Sequence, residues 1–440
     1  MKIITDALPA VRAICPRQKI KENTAYRMTK LCVMTDCADG RLLFHTLTGM
    51  LVLLEDEADA EASRDELIKE MFYVPEDFDE LAYADKVISI AKALKTGSGK
   101  SGKLSYTVLT TTDCNARCYY CYEAGIRRCY MSADVAKDVS DYIIGASDGR
   151  EVELRWFGGE PLMNPEVIDI ICGKLREAGV EYTSAMVSNG YLFNGDVIRK
   201  AKGLWNLKSV QITLDGCGEV YNRVKAYKEP GDAYSRVINN VDNALKAGIK
   251  VHIHLNVSRK NISDLMTLAD ELEKTFSKRE GLFASAALLG DFRRENERFN
   301  GDVYDAQEYL KLRKKLKDAG FEGKRSPLKR ELNFNNCMAD NDACEIILPD
   351  GRLSKCDEQL DKDCFGDIYS KERDTENIKS WKEQVKLSEC FGCPLYARCI
   401  NLKKCAWVNE NCSKTSQIIR LGVLKDQITD AYKEWKETLK

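Results

Sequence analysis

Cys114, Cys118 and Cys121 form a CxxxCxxC pattern directly after an apolar run, Leu104–Thr110. Three thiolates at this spacing can hold three irons of a [4Fe–4S] cluster and leave the fourth open. A zinc site would normally want a fourth ligand nearby. An open iron is a place where a substrate or cofactor can coordinate. A second cysteine region has Cys337, Cys344 and Cys356, then Cys390, Cys393, Cys399, Cys405 and Cys412. Leaving out Cys364, these eight suffice for two fully ligated [4Fe–4S] clusters, or for two four-cysteine zinc sites.

The 18 cysteines need a compartment that keeps them reduced if they are to ligate metal. Asp6, Pro9 and Arg12 interrupt the N-terminal apolar residues, so no secretory signal is expected. Disulfides are therefore not expected, a cytoplasmic location is, and the clustered thiols read as iron–sulfur ligands. No apolar run reaches the roughly 18 residues that suggest a membrane span. Lys plus Arg is 67 against 69 Asp plus Glu, a net charge of −2 that gives no reason to expect a nucleic-acid partner. Of Cys15, Cys32, Cys37, Cys129, Cys172, Cys217 and Cys364, most read as apolar fillers.

Six apolar strands are expected to position the first cysteines: Leu104–Thr110, Val152–Phe157, Tyr182–Val187, Ser209–Leu214, Ile249–Val257 and Phe283–Leu289. Helical periodicity falls between them at Ser132–Ile144, Pro165–Ala178, Asp196–Lys202, Ala233–Ala247 and Ile262–Phe276. Alternation of this kind predicts an α/β domain with a parallel sheet, either doubly wound or an open partial barrel. Ligands of both collect at the C-terminal ends of the strands. Upstream of a glycine-rich linker lies a unit of strands at Tyr26–Met34, Arg41–Leu47 and Met50–Leu54, with helices at Asp56–Phe72 and Asp77–Leu94. Helices are also expected at Tyr304–Lys317 and Gln417–Leu439.

The first cysteine motif resembles that of the radical S-adenosylmethionine enzymes, whose CxxxCxxC carries an aromatic before the last cysteine, here Tyr120. The resemblance implies a partial (β/α)6 barrel. It also implies a cluster whose open iron is chelated by S-adenosylmethionine, which is cleaved to a hydrogen-abstracting 5′-deoxyadenosyl radical. The stretch 156–161 matches the family's Gly-Gly-Glu motif. Gly158 and Gly159 would allow close backbone approach, and Glu160 would accept from the methionine ammonium. Ser188 and Asn189 stand where the family has a polar turn, and Asp215 ends the fourth strand at the family position. His252, His254 and Asn256 alternate on one face of the fifth strand. His254 would line the interior near the cofactor, or be a satisfied core histidine.

The second region resembles the SPASM extension found in peptide and protein modifiers. Carried over, Cys337, Cys344, Cys356 and Cys405 would hold one auxiliary cluster, and Cys390, Cys393, Cys399 and Cys412 the other. Five residues separate Cys399 from Cys405, where three are usual. Asp357 follows Cys356, a position where sulfatase-maturing relatives carry a general base. The expected cofactors are thus three [4Fe–4S] clusters, one binding S-adenosylmethionine and two auxiliary.

The expected organisation is a winged-helix-like peptide-recognition domain at 1–96 and a linker at 97–103. The partial barrel follows at 104–300, then a bridge at 301–336, the SPASM domain at 337–412 and a terminal helix at 413–440. The first unit resembles leader-peptide binding domains of maturases of ribosomally made peptides, which add the leader as a strand. The stretches 43–49 and 221–227 resemble maturases of cysteine-rich peptides. The implied function is hydrogen abstraction from a precursor peptide with thioether crosslinking, using a low-potential donor such as ferredoxin or flavodoxin. Carbon–carbon or carbon–oxygen crosslinking, epimerisation and formylglycine formation are alternatives, as is an iron–sulfur electron carrier or scaffold.

Overall fold

The computed structural model describes residues 1–96, 102–229, 231–277, 279–289, 305–322, 328, 332, 337–360, 363–399, 402–405 and 414–439. The N-terminal unit holds β1 (Lys2–Thr5), β2 (Tyr26–Met28), β3 (Cys32–Cys37), β4 (Gly40–His45), β5 (Leu51–Leu54) and β6 (Tyr73–Pro75). Four of them form an antiparallel sheet in the order β1-β5-β4-β3, and β2 pairs with β6.

Two expectations for this unit fail, each at a buried or charged side chain. The single strand over Tyr26–Met34 divides between two sheets. Glu80, 3% exposed, draws the intervening residues to itself: it accepts from the Thr29 hydroxyl and from Lys30 N at 2.9 Å, and pairs with Arg27 at 2.6 Å. The single helix over Asp56–Phe72 is two short ones, Glu57–Ala62 and Arg64–Lys69. Ser63, between them, donates to Asp59 and accepts from the Met1 ammonium, which also pairs with Asp59.

His45 locks the β4–β5 turn. Its Nε2 lies 3.2 Å from the Met71 carbonyl oxygen, and its Nδ1 accepts from Leu47 N and Thr48 N at 3.3 and 3.4 Å. A second ring proton would face two N–H donors, and burial lowers the His45 pKa to about 4. The unfolded chain takes up this proton near pH 6.5 and the folded one only near 4. Stability is therefore lost as pH falls between those values, by up to about 3 kcal/mol. Denaturant titrations at pH 7 and pH 5 should show this loss, and His45→Gln should flatten it. An unchanged pH slope in that variant would remove His45 as the cause.

The main sheet begins with β7 (Leu104–Thr111), β8 (Val152–Gly158), β9 (Tyr182–Ser188), β10 (Leu207–Thr213), β11 (Lys250–Val257) and β12 (Leu282–Leu288). They are parallel, as expected, and lie in sequence order, which fits the open partial barrel and not a doubly wound sheet. Helices Ala133–Ser147, Pro165–Glu177, Gly195–Gly203, Ala233–Lys246 and Ile262–Phe276 lie between them in sequence. Their apolar residues, among them Val139, Ile143, Ile171, Val241 and Leu268, join Val108, Trp156 and Val210 of the strands in one core. The alternate strand residues are more polar and less buried, including Arg155, Gln211, His252, His254 and Asn256. Alternation thus gives the sheet an apolar outer face and a polar inner one.

The sheet does not stop at six strands. β13 (Cys344–Ile347) pairs in parallel with β7, setting Cys344 opposite Ser105, and β14 (Arg352–Ser354) and β15 (Cys364–Asp367) continue it antiparallel. Segments expected as separate domains, 104–300 and 337–412, therefore share a nine-stranded sheet. Residues 301–304 and most of 323–336, in the expected bridge, lie outside the described residues. The helix near Tyr304–Lys317 spans Ala306–Asp318, and the last helix spans Lys414–Thr438. The latter's Leu424, Ile428 and Tyr432 pack with Val33, Leu42, Phe44 and Leu51 of the N-terminal sheet. Among the described residues no helix is long and apolar enough to cross a membrane.

Candidate active site

The three cysteines of the first motif sit in the loop that leaves the C-terminal end of β7. Asp113 opens this loop. Its carboxylate accepts from Cys114 N at 2.8 Å and lies 3.3 to 3.5 Å from Arg117, Arg128 and Lys228. Gly158 and Gly159 are required here by the chain itself. A Cβ on Gly158, whose φ is +129°, would lie 2.1 Å from the Thr111 carbonyl oxygen, and one on Gly159 would lie 2.2 Å from that of Asp113. The close approach expected at these glycines is thus made by the backbone entering the cysteine loop. Gly159 N and Glu160 N donate across it to Thr111 O and Asp113 O at 3.1 and 2.9 Å.

Glu160 is 0% exposed. Its carboxylate accepts from Leu162 N at 3.1 Å, from the Ser188 hydroxyl at 2.9 and 3.1 Å, and from Asn189 N at 2.8 Å. Burial raises its pKa to about 7 against the effect of these donors. Glu160 therefore clamps the Ser188–Asn189 turn to the Gly-Gly-Glu turn. Asn189 in turn reaches the cysteine loop, donating to Asn115 Oδ1 at 2.7 Å and lying 3.7 Å from Cys114 Sγ.

Beneath the loop is a buried charge pair of which only the acid was expected. Asp215 and Lys225, with side chains 0% and 3% exposed, pair at 2.7 Å, and the Tyr120 hydroxyl donates to Asp215 and accepts from Lys225 at 2.9 Å. Lys225 comes from a helix, Gly218–Lys225, that was not expected. Its charge partners raise its pKa against the opposing effect of burial. The same segment holds the loop through its backbone: Arg117 N donates to Lys225 O at 2.8 Å and Lys228 N to Asn115 O at 2.9 Å. The stretch 221–227 was singled out, but no role was given to its lysine.

His254 and Asn256 lie on the inner face of β11, as their alternation predicted. Burial, then the neighbouring His252, lowers the His254 pKa to about 4 and keeps it neutral. His252 Nε2 is 2.7 Å from the Ser285 hydroxyl. Asp357 faces Arg155 of β8 at 3.7 Å, and the Arg155 guanidinium lies 5.3 Å from the Phe157 ring centroid. Arg155 was not expected, and nothing local in the sequence marks it.

The second cysteine region divides in two. Cys337, Cys356 and Cys405 pack against one small core of Ala339, Trp381 and Leu402. Cys405 is anchored there despite its long spacing: Gln359 donates to the Lys404 carbonyl at 2.7 Å, and Lys404 pairs with Asp363 at 2.8 Å. Cys344 begins β13. Cys390 and Cys393 are buried against the N-terminal unit, and Arg420 donates to Cys399 Sγ at 3.0 Å. Cys412, the remaining expected ligand, lies outside the described residues. Among the described residues no three His, Cys, Asp or Glu side chains are gathered to hold a single metal ion.

One apolar cluster links the two regions. It joins Tyr122 and Ile126 of the first loop, Leu109, Phe157 and Val187 of the inner face, and Ile346, Leu348 and Leu360 of the second region. The donor chemistry around the first loop fits a polar cofactor. Asn115 Nδ2 and Asp215 Oδ1 are buried there with no hydrogen-bond partner among the described residues, a cost of about 1–3 kcal/mol each unless a ligand satisfies them.

Residues 108–272 match the model of the Radical SAM superfamily. The chain carries a radical SAM domain. Over 166 residues it is 28% identical to the Fe-coproporphyrin III synthase of Methanosarcina barkeri, covering 37% of this chain and 39% of that protein. Over 183 residues it is 30% identical to the GTP 3′,8-cyclase of Nautilia profundicola, covering 41% and 54%. The chain thus spans about two fifths to one half of the length of these curated relatives. Among solved structures, histidine-tagged anSMEcpe with bound AdoMet matches with TM-score 0.60 at 17% identity, over 76% of this chain and all of that one. Streptococcus suis SuiB bound to precursor peptide SuiA matches with TM-score 0.52 at 14% identity, over 91% and all of that chain. At these identities the likeness is one of fold, and it extends beyond the radical SAM domain in both.

Proposed function

We propose that this chain is a peptide maturase that abstracts a hydrogen atom from a residue of a precursor peptide and joins a cysteine sulfur to the resulting carbon centre. The carrying observation is the shared interior: residues of both cysteine regions pack into one apolar cluster at the mouth of a polar-lined half barrel. A solved structure of similar fold holds a precursor peptide. On this reading Cys114, Cys118 and Cys121 would hold a [4Fe–4S] cluster, and the assigned cysteines of the second region would hold two auxiliary clusters. When bound, the first cluster and S-adenosylmethionine supply the 5′-deoxyadenosyl radical.

The remaining roles belong to the chain. Asn115, Asn189 and the Asp215–Lys225 pair hold the cofactor's polar groups, and Tyr120 closes the site beside them. Glu160 has taken three donor hydrogens and keeps one acceptor position of about four for the methionine ammonium. Gly158, Gly159 and Ser188 fix the two turns, while His254 and Asn256 line the wall. Asp357 takes the proton of the attacking peptide thiol, and the electron released when the sulfur joins the carbon radical would pass to an auxiliary cluster. The N-terminal sheet, edged by β1 and β3, accepts the leader as an added strand. It is fastened to the second cysteine region: Thr46 donates to Pro394 O at 2.6 Å and Tyr396 to Asp85 at 2.8 Å. The electron comes from a low-potential ferredoxin or flavodoxin in the cytoplasm.

The test is anaerobic turnover with a cysteine-containing precursor deuterated at candidate positions. Deuterium should appear in 5′-deoxyadenosine, and the peptide should lose two hydrogens, one thiol and one carbon-bound. Asp357→Asn should keep the deuterium transfer while crosslinked product falls by about 100-fold, the scale of losing a general base. Cofactor cleavage with no deuterium transfer from any cysteine-containing peptide would refute the peptide reading.

A further inference from the structure

We propose that the indole N–H of Trp381 donates a hydrogen bond to a sulfur of the auxiliary cluster held at Cys337, Cys356 and Cys405, and so raises that cluster's reduction potential. This rests on the reading of those cysteines as iron–sulfur ligands. Trp381 is 1% exposed, and its Nε1 has no hydrogen-bond partner among the described residues. A buried donor left unpaired costs about 1–3 kcal/mol, and such groups are uncommon. The ring's surroundings restrict what can pair with it. Trp381 forms a small core with Ala339 and Leu402, and the partly buried side chains packed against that core are the three cysteines. Ala339 and Leu402 have no side-chain acceptor, so among the apolar side chains of this core only the cysteines carry an acceptor atom, sulfur.

The position of the ring is built, not incidental. Trp381 follows the helix Thr375–Ser380, and its backbone N–H donates to Asn377 O at 3.3 Å. Asn377 donates to Asp363 at 2.5 Å and accepts from Lys404 at 2.9 Å. Lys404 immediately precedes Cys405, and its ammonium lies 5.5 Å from the Trp381 ring centroid. One polar network therefore holds both the indole and the segment that carries a cysteine. Hydrogen bonds to cluster sulfurs are among the factors that set its potential. A donor stabilises the reduced form more, because reduction adds negative charge to those sulfurs.

The experiment uses the full-length protein, reconstituted anaerobically with iron and sulfide. Trp381→Phe should retain its iron. At a fixed applied potential its auxiliary cluster should show about a tenfold lower reduced-to-oxidised ratio, a shift of about 59 mV for one electron. The paramagnetic spectrum of the reduced cluster should also lose a coupling to a solvent-exchangeable proton. If the phenylalanine variant loses iron, 3-benzothienylalanine at position 381 keeps the ring shape without the N–H, and the same two readouts decide. An unchanged ratio with the proton coupling retained would overturn the proposal. Combined Cys337→Ala, Cys356→Ala and Cys405→Ala substitutions that lose no iron would instead overturn the cluster reading on which it rests.

Discussion

Gly159→Ala is expected to lose about one third of the iron that the three proposed [4Fe–4S] clusters would hold, and with it cleavage of S-adenosylmethionine. The added Cβ would lie 2.2 Å from the Asp113 carbonyl oxygen and 2.5 Å from its carbon. Both are backbone atoms next to Cys114, so no side chain can swing away to relieve the contact. Overpacking of this kind usually costs about 1–3 kcal/mol. Relief must come from moving the start of the cysteine loop, which carries the proposed cluster ligands. Gly173→Ala is the control. It lies in a helix with nothing within 4 Å of the added carbon, so it should stabilise by about 0.5–1 kcal/mol and keep all its iron. Iron analysis and 5′-deoxyadenosine release compare the two. A Gly159→Ala protein with full iron and normal cleavage would show that the turn does not set the loop.

That contact illustrates what could be read without coordinates. The residue type was legible, because a Gly-Gly-Glu after a strand announces a tight passage. The neighbour was not, because Thr111 and Asp113 lie more than 40 residues away and meet the glycines only through the β7–β8 ladder. The same distinction runs through the site. Cys114, Cys118, Cys121, Glu160, Ser188 and Asp215 sit at strand ends inside local patterns, and the six strands have strong periodicity. Lys225 is one lysine of many on a short helix, and only its burial against Asp215 distinguishes it. Trp381 reads as a core aromatic until its unpaired N–H is seen among cysteines. Segments 104–300 and 337–412 read as separable because the pairing of Cys344 with Ser105 spans over 200 residues. In the N-terminal unit, Glu80 redirects a strand from some 50 residues downstream, which no local propensity contains.

The buried Asp215–Lys225 pair is proposed to serve both stability and cofactor binding, and a double substitution separates the two. Lys225→Met removes the cation and leaves the Asp215 carboxylate, 0% exposed, with only the Tyr120 hydroxyl on one oxygen and no partner on the other. Breaking a buried pair from one side costs about 3–5 kcal/mol, because the remaining charge stays desolvated. Asp215→Asn in the same chain removes that stranded charge. The double variant should therefore recover most of the lost stability, with a coupling energy of at least about 1 kcal/mol in a denaturant cycle. Function should not return with it. The pair's charges are gone from beneath the cysteine loop, and with them the polar groups proposed to meet S-adenosylmethionine. Cofactor affinity of the stable double variant should stay weaker by about tenfold or more, the equivalent of one lost charged hydrogen bond. Additive stability costs would mean that the two side chains do not act as a pair. Full cofactor affinity in the double variant would confine them to holding the Tyr120 side of the loop in place.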